Sequence, residues 1–103
     1  MRNIDATHSD ILRISEVVKA LANPTRYKMI CLIGTREISL INLAKVVGSS
    51  YAMVAKHLAS LKAVGLGVLR RMANRVYCRI VDPRVLHILL VSNEVLGSQK
   101  SVK

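Results

Sequence analysis

Residues 39–64 read SLINLAKVVGSSYAMVAKHLASLKAV, and this stretch decides how the chain folds. Ser39 is placed to cap a short helix whose apolar positions are Leu40, Leu43, Ala44 and Val47. Gly48 stands where that helix needs a left-handed terminating residue. Two residues on, Ser50 can accept a hydrogen bond from a backbone N–H of the next helix. There Val54, Leu58 and Leu61 recur at helical spacing and form one apolar face. Tyr51, Ala52, Ala55 and Lys56 fall on the other face near its start, and Gly65 ends it. The pattern predicts a helix-turn-helix; the plainer alternative is a helical hairpin inside a core. A recognition helix reads base edges with its N-terminal turns. The expected contact residues are therefore Ser49, Ser50, Tyr51, Ala52, Ala55, Lys56 and His57, with Lys62 further along.

After Gly65 the apolar period changes from 3.6 to 2, in LGVLRRMANRVYCRIV. Val76, Cys78 and Ile80 alternate with Tyr77, Arg79 and Val81. Met72–Ala73–Asn74–Arg75 reads as a hairpin turn, with Asn74 the residue most tolerant of positive φ. A basic hairpin directly behind a helix-turn-helix is a wing that lies over the sugar-phosphate backbone or the adjacent minor groove. Arg70, Arg71, Asn74, Arg75 and Arg79 are its expected contacts, the plainer alternative being a solvated hairpin.

Charge points the same way. The chain has 103 residues, 51% of them hydrophobic, and a net charge of +10. That is one small domain with enough apolar residues for a core. Between Ile38 and Val81 there is no Asp or Glu, while Lys45, Lys56, Lys62, Arg70, Arg71, Arg75 and Arg79 all lie in that span. A solvated face normally mixes signs, so a one-sign span favours nucleic acid, an anionic membrane surface being the weaker option; with a helix-turn-helix the partner expected is double-stranded DNA. With three tyrosines and no Phe or Trp, the chain lacks the aromatic rows of single-strand binders. The polar start MRNIDATHSD is not a signal peptide. The apolar run Val85 to Val91 is too short to span a bilayer, so no membrane partner and a cytoplasmic setting are expected.

Upstream, Ile11, Leu12, Ile14, Val17, Val18 and Leu21 mark a first helix with Ser9 as its N-cap. Asn23 and Pro24 start a second that closes at Gly34, with Met29, Ile30, Leu32 and Ile33 core-like and Arg26 and Lys28 facing out. Thr35 to Ile38 is a connector or minimal edge strand. Asp82 as N-cap and Pro83 as first residue open a last helix, apolar on more than one face. Such a helix needs a second burial surface. A homodimer through the first and last helices is expected, using Ile11, Ile14, Val18, Val85, Leu86, Leu89 and Leu90. Residues 1–7 and 98–103 are expected to be flexible tails of a single domain spanning 1–103.

With these elements placed, the chain resembles the ArsR/SmtB family of winged-helix transcriptional repressors over roughly Val17 to Leu96. The marks are VKALANPTRYKMICLI, LAKVVGSSYAMVAKHLASLKAVGL and RRMANRVYCRI. The resemblance implies a mainly α winged helix-turn-helix fold of about five helices plus a β-hairpin, and DNA binding through the residues named above. Departures are Ala52 and Ala55, where members often carry hydroxyl or amide groups, and the Ala73–Asn74 turn, where a glycine is usual. Alanines can touch thymine methyls but cannot pair with base donors or acceptors.

The family's metal sites are absent from this sequence. The third-helix thiol pair is replaced by Ile38–Ser39–Leu40–Ile41. In the last helix Asp82 is present, but Pro83 and Arg84 stand where a His would fall, and Val95 and Ser98 fill the distal positions. His8, His57 and His87 share no ligand spacing, and His87 fits an interface better than a metal. No metal and no cofactor are expected. Cys31 lies where some redox-sensing relatives keep a thiol, but their partner in the last helix is missing, and Cys78 is on the wing strand. Both are read first as buried hydrophobes and second as a redox pair. No nucleophile–base pair or phosphate-cradling glycine loop suggests an enzyme. The expected function is a sequence-specific repressor; the alternative is a weakly specific architectural or protein-interaction module.

Overall fold

The computed structural model describes residues 3–97. In chain order the elements are α1 (His8–Leu21), α2 (Pro24–Ile33), β1 (Ile38–Ser39), α3 (Leu40–Val47), α4 (Tyr51–Ala63), β2 (Gly67–Met72), β3 (Arg75–Ile80) and α5 (Arg84–Val95).

Local chemistry sets most boundaries. The Asn23 side chain accepts from the N–H of Arg26 at 3.0 Å, with Pro24 at the first helical position. Ser39 accepts from Asn42 and Ser50 from Met53, each at 3.2 Å, so both helices of the helix-turn-helix carry the caps their sequence calls for. Gly48 sits at φ 76°, ψ 37° and Gly65 at φ 80°, left-handed positions that a side chain would strain. Helix α1 starts two residues earlier than expected. Its N-cap is Thr7, not Ser9, because Thr7 has Asp10 three residues on. The Asp10 N–H bonds Thr7 Oγ1 at 3.1 Å and the Thr7 N–H bonds Asp10 Oδ2 at 3.2 Å, a capping box. Ser9 has Leu12 at that spacing and nothing to reciprocate.

The sheet is antiparallel, in the order β1-β3-β2. Ile38 faces Cys78 and Ser39 faces Tyr77, so β1 is the minimal edge strand. Across the hairpin Leu69 opposes Cys78, Arg70 opposes Tyr77 and Met72 opposes Arg75. Alternation puts Leu69, Cys78 and Ile80 on the inner face and Val68, Arg70, Tyr77 and Arg79 on the outer one. The turn corrects one expectation. The residue at positive φ is Ala73, at 54°, and not Asn74. Positive φ at the first central position alone is the II′ pattern, whose twist suits a two-residue hairpin and whose usual occupant there is glycine.

The core gathers Met29, Ile30 and Ile33 of α2, Leu43 of α3, Val54, Leu58 and Leu61 of α4, Cys78 of β3 and Leu89 of α5. Helix α5 begins at Arg84, one residue later than expected. Pro83 occupies the N-cap position with helical φ and makes no side-chain cap, and Asp82 acts from one residue further out. Its Oδ1 accepts from the Arg84 N–H at 2.9 Å, and its Oδ2 takes the Arg84 guanidinium at 2.7 Å. That guanidinium, then the backbone bond, pulls the Asp82 carboxyl down to a pKa of about 2.

Two further expectations change. Leu89 is buried in the chain's own core at 4% exposure, with Val85 and Leu86 packed against it, so Leu89 offers nothing to a partner. The exposed apolar residues of α5 are Ile88, Leu90, Val91 and Val95, and those of α1 are Ile11, Leu12, Ile14 and Val18. Cys31 is exposed on α2, while Cys78 is buried with its thiol 3.5 Å from the Ile38 carbonyl. Residues 98–103, and with them Ser98 and the expected C-terminal tail, lie outside the described residues.

Candidate nucleic-acid interface

The capped start of α4 presents Tyr51, Ala52, Met53 and Lys56 to solvent. Their exposure follows from Val54, Leu58 and Leu61 turning inward: a helix that buries one stripe must expose the opposite one. Ser50 is exposed at the cap, and Ser49 half-buried in the turn before it. Ala55, expected on the open face, is half-buried and packs against the core cluster. Met53 was missed by sequence reasoning; its place at the third helical residue, on the exposed first turn, was the available signal. Lys62 is exposed in the last turn of α4, about 9 Å along the axis from Lys56 at 1.5 Å per residue.

His57 is half-buried beside two cations. Burial, then Arg26 and then Lys56, push its imidazole pKa below the ordinary value. Arg26 on α2 thus acts on α4, while its Nε donates to the Ala20 carbonyl at 2.7 Å. Lys28, two residues on, reaches the Val47 carbonyl at the end of α3 at 3.3 Å. Both residues read as merely outward-facing in the sequence; folding brings them beside the helix-turn-helix and extends its positive surface.

On the wing Arg71, Asn74, Arg75 and Arg79 are exposed. Arg70 differs. Its Nη2 lies 2.6 Å from Glu37 Oε1 and its Nε 3.0 Å from Oε2, a two-pronged ion pair. Its guanidinium also stands 5.4 Å from the centre of the Tyr77 ring. Arg70 was expected to meet DNA, but its charge is already answered by Glu37, the acid just upstream of the acid-free span.

Among the described residues no three His, Cys, Asp or Glu side chains gather closely enough to hold a metal ion. The β1–α3 junction carries no thiol, and at the start of α5 Asp82 is occupied by Arg84. Among the described residues no helix is long and apolar enough to cross a membrane.

No family model matches the chain. Individual proteins do. The nodulation protein NolR of Rhizobium meliloti is 30% identical over 90 residues, spanning 87% of this chain and 74% of NolR. The HTH-type transcriptional regulator KmtR of Mycobacterium tuberculosis is 30% identical over 77 residues, 75% of this chain and 59% of KmtR. Among solved structures, the homodimeric winged helix-turn-helix DNA-binding domain of Mb0332 from Mycobacterium bovis superposes with a TM-score of 0.79 at 26% identity, covering 96% of this chain and 93% of that one.

Proposed function

The chain belongs to the ArsR/SmtB family of winged-helix transcriptional regulators, and from that premise we propose that it is a homodimeric repressor that binds double-stranded DNA in the cytoplasm without metal. The observation that carries the reading is the acid-free span itself: folded, it becomes a helix-turn-helix with an open α4 start and a wing with exposed Arg71, Arg75 and Arg79. Lys56 is the candidate for a base edge, Tyr51 and Ala52 line the same turn, and the wing arginines meet phosphate or the minor groove. The exposed apolar rows of α1 and α5 are what a second copy would cover, as the homodimeric state of the Mb0332 domain suggests. The absence of metal rests on the donor set, since the positions that would need thiols or imidazoles carry Ile, Ser, Leu, Pro and Arg.

One observation favours a second reading. Ala52 offers a methyl group and no donor, and Ala55 is partly withdrawn into the core, so α4 presents few groups that discriminate bases. A weakly specific architectural module would follow.

Binding to an inverted repeat from upstream DNA and to a random duplex, measured across salt, tests both. Log K should fall linearly with log salt with a slope of about −0.9 per phosphate contact. Arg75→Ala should weaken both duplexes alike and make the slope shallower by about one. Lys56→Ala should cost about 1–3 kcal/mol on the preferred site and less on the random one. Equal affinity of the unaltered protein for both duplexes would favour the architectural reading, and no binding to either would end both.

A further inference from the structure

We infer that Glu37 and Arg70, clasped across Tyr77, are positioning residues that hold the wing against the helix-turn-helix, and that Arg70 is not one of the cations that grip the duplex. The DNA half of this inference rests on the function proposed above; the positioning half does not.

The geometry starts from the register. Ile38 faces Cys78 and Ser39 faces Tyr77, so antiparallel pairing carried one residue back brings Glu37 alongside Arg79. Side chains at 37, 77 and 79 then share the outer face with Arg70, which opposes Tyr77 from β2. From β2 the Arg70 guanidinium reaches over the central strand and meets the Glu37 carboxylate at the β1 edge at 2.6 and 3.0 Å. Tyr77, on the strand between, lies beneath the guanidinium. The remaining nitrogen, Nη1, stands 3.5 Å from the Met72 sulfur. Each of the three Arg70 guanidinium nitrogens thus has a partner on the sheet, and its charge is matched by Glu37, although the side chain stays 47% exposed. The Arg70 guanidinium, the largest influence on it, holds the Glu37 carboxyl below its usual range, so the pair stays ionised at neutral pH.

What the clasp joins matters as much as its shape. Glu37 stands two residues before Ser39, the cap of α3, and β1 runs straight into that helix. Arg70 lies midway along β2, the strand that carries the wing outward. Besides the three-residue link from α4 to β2 and the backbone ladder through β3, this contact ties the α3 end of the helix-turn-helix directly to the strand farthest from β1. Planar, two-pronged pairing fixes orientation as well as distance, which a point charge could not do. Arg75 and Arg79 are exposed, with no ion-pair partner among the described residues.

The test uses Glu37→Gln, Arg70→Gln and the exchanged pair Glu37→Arg with Arg70→Glu, each in the full chain. Backbone amide exchange across β2 and β3 in the free protein is the first readout. Either single variant should speed exchange of the wing amides, and the exchanged pair should slow it again. Duplex affinity across salt is the second. Both singles should weaken binding about two- to five-fold, the size of an exposed ion pair's effect, with the salt slope unchanged, and the exchanged pair should recover it. Tighter binding for Glu37→Gln together with a slope shallower by about one for Arg70→Gln would overturn the inference and make Arg70 a phosphate contact that Glu37 restrains. Unaltered wing exchange in both singles would equally overturn it. If the unaltered protein binds no duplex, the proposed function fails, and amide exchange alone still decides whether the clasp positions the wing.

Discussion

The phenolic hydroxyl of Tyr27 donates to the main-chain carbonyl of Leu89 at 3.3 Å, joining α2 to α5 across 62 residues of sequence. Together with the buried Leu89 side chain, it settles which side of α5 turns inward. Tyr27→Phe keeps the ring and removes the bond. The urea midpoint should fall by the equivalent of about 1 kcal/mol, the usual net value of such a bond. An unchanged midpoint would leave α5 held by apolar packing alone.

Neighbouring leucines on α5 should respond oppositely to substitution. Leu89 is 4% exposed and Leu90 54%. Leu89→Ala should lower folding stability by about 2–5 kcal/mol, as core truncations do. Leu90→Glu should leave the circular dichroism spectrum intact yet shift sedimentation from dimer to monomer. A dimer that survives both Leu90→Glu and Ile88→Glu would mean that α5 is not the interface.

The wing tip offers a stabilising change. Ala73 holds φ 54°, which costs an L-residue about 1–2 kcal/mol. Glycine removes that strain and gives back part of the gain through its freer unfolded chain. Ala73→Gly should therefore raise stability by roughly 0.5–1 kcal/mol, read as a higher thermal midpoint. Asn74→Gly, at a position without positive φ, should not. A lower midpoint for Ala73→Gly would contradict the turn assignment.

His57 should make both folding and binding depend on pH, in opposite senses. Burial, then Arg26 and Lys56, lower its folded pKa below the ordinary 6.5. Between those two values the unfolded chain binds more protons, so stability rises with pH across that window. The contribution is complete above 6.5 and is lost as pH falls through the folded value. If His57 lies near phosphate in the complex, the duplex raises its pKa, and affinity should increase from pH 7.5 towards 5.5. His57→Gln should flatten both profiles. Identical profiles for His57→Gln and the unaltered protein would exclude the imidazole.

Much of this architecture is legible in the sequence because its signals are local. Asn23–Pro24, Ser39, Gly48, Ser50 and Gly65 each act within one helical turn, and each does in the structure what its type and place predict. Thr7 is equally legible, since Asp10 three residues on completes its capping box. Ala73 was harder. Intrinsic preference pointed to Asn74, but hairpin twist selects which central position bends, and tertiary pairing overrode propensity. Leu89 and Leu90 cannot be told apart by composition in a helix apolar on several faces; only docking onto α2 separates them. The Glu37–Arg70 clasp was invisible because it depends on a crossing sheet order. A charge census marked Arg70 as one more DNA contact, whereas a carboxylate 33 residues away had already engaged it.

Strand β2 closes one side of the sheet, pairing with β3 and, among the described strands, with no other. An open edge carrying Val68 and Leu69 is a template for another strand, and unprotected edges of this kind drive aggregation. Arg70 and Arg71 follow directly on the same strand. Arg70 is already paired with Glu37, but exposed Arg71 has no such partner among the described residues, and two copies pairing edge to edge about Arg71 would have to bring like charges together. Such a guard at Arg71 would act without any nucleic acid. Replacing Arg71 with a neutral apolar residue would expose an adhesive edge as well as remove a cation. Arg71→Lys keeps the guard in place while changing only the shape of the charge.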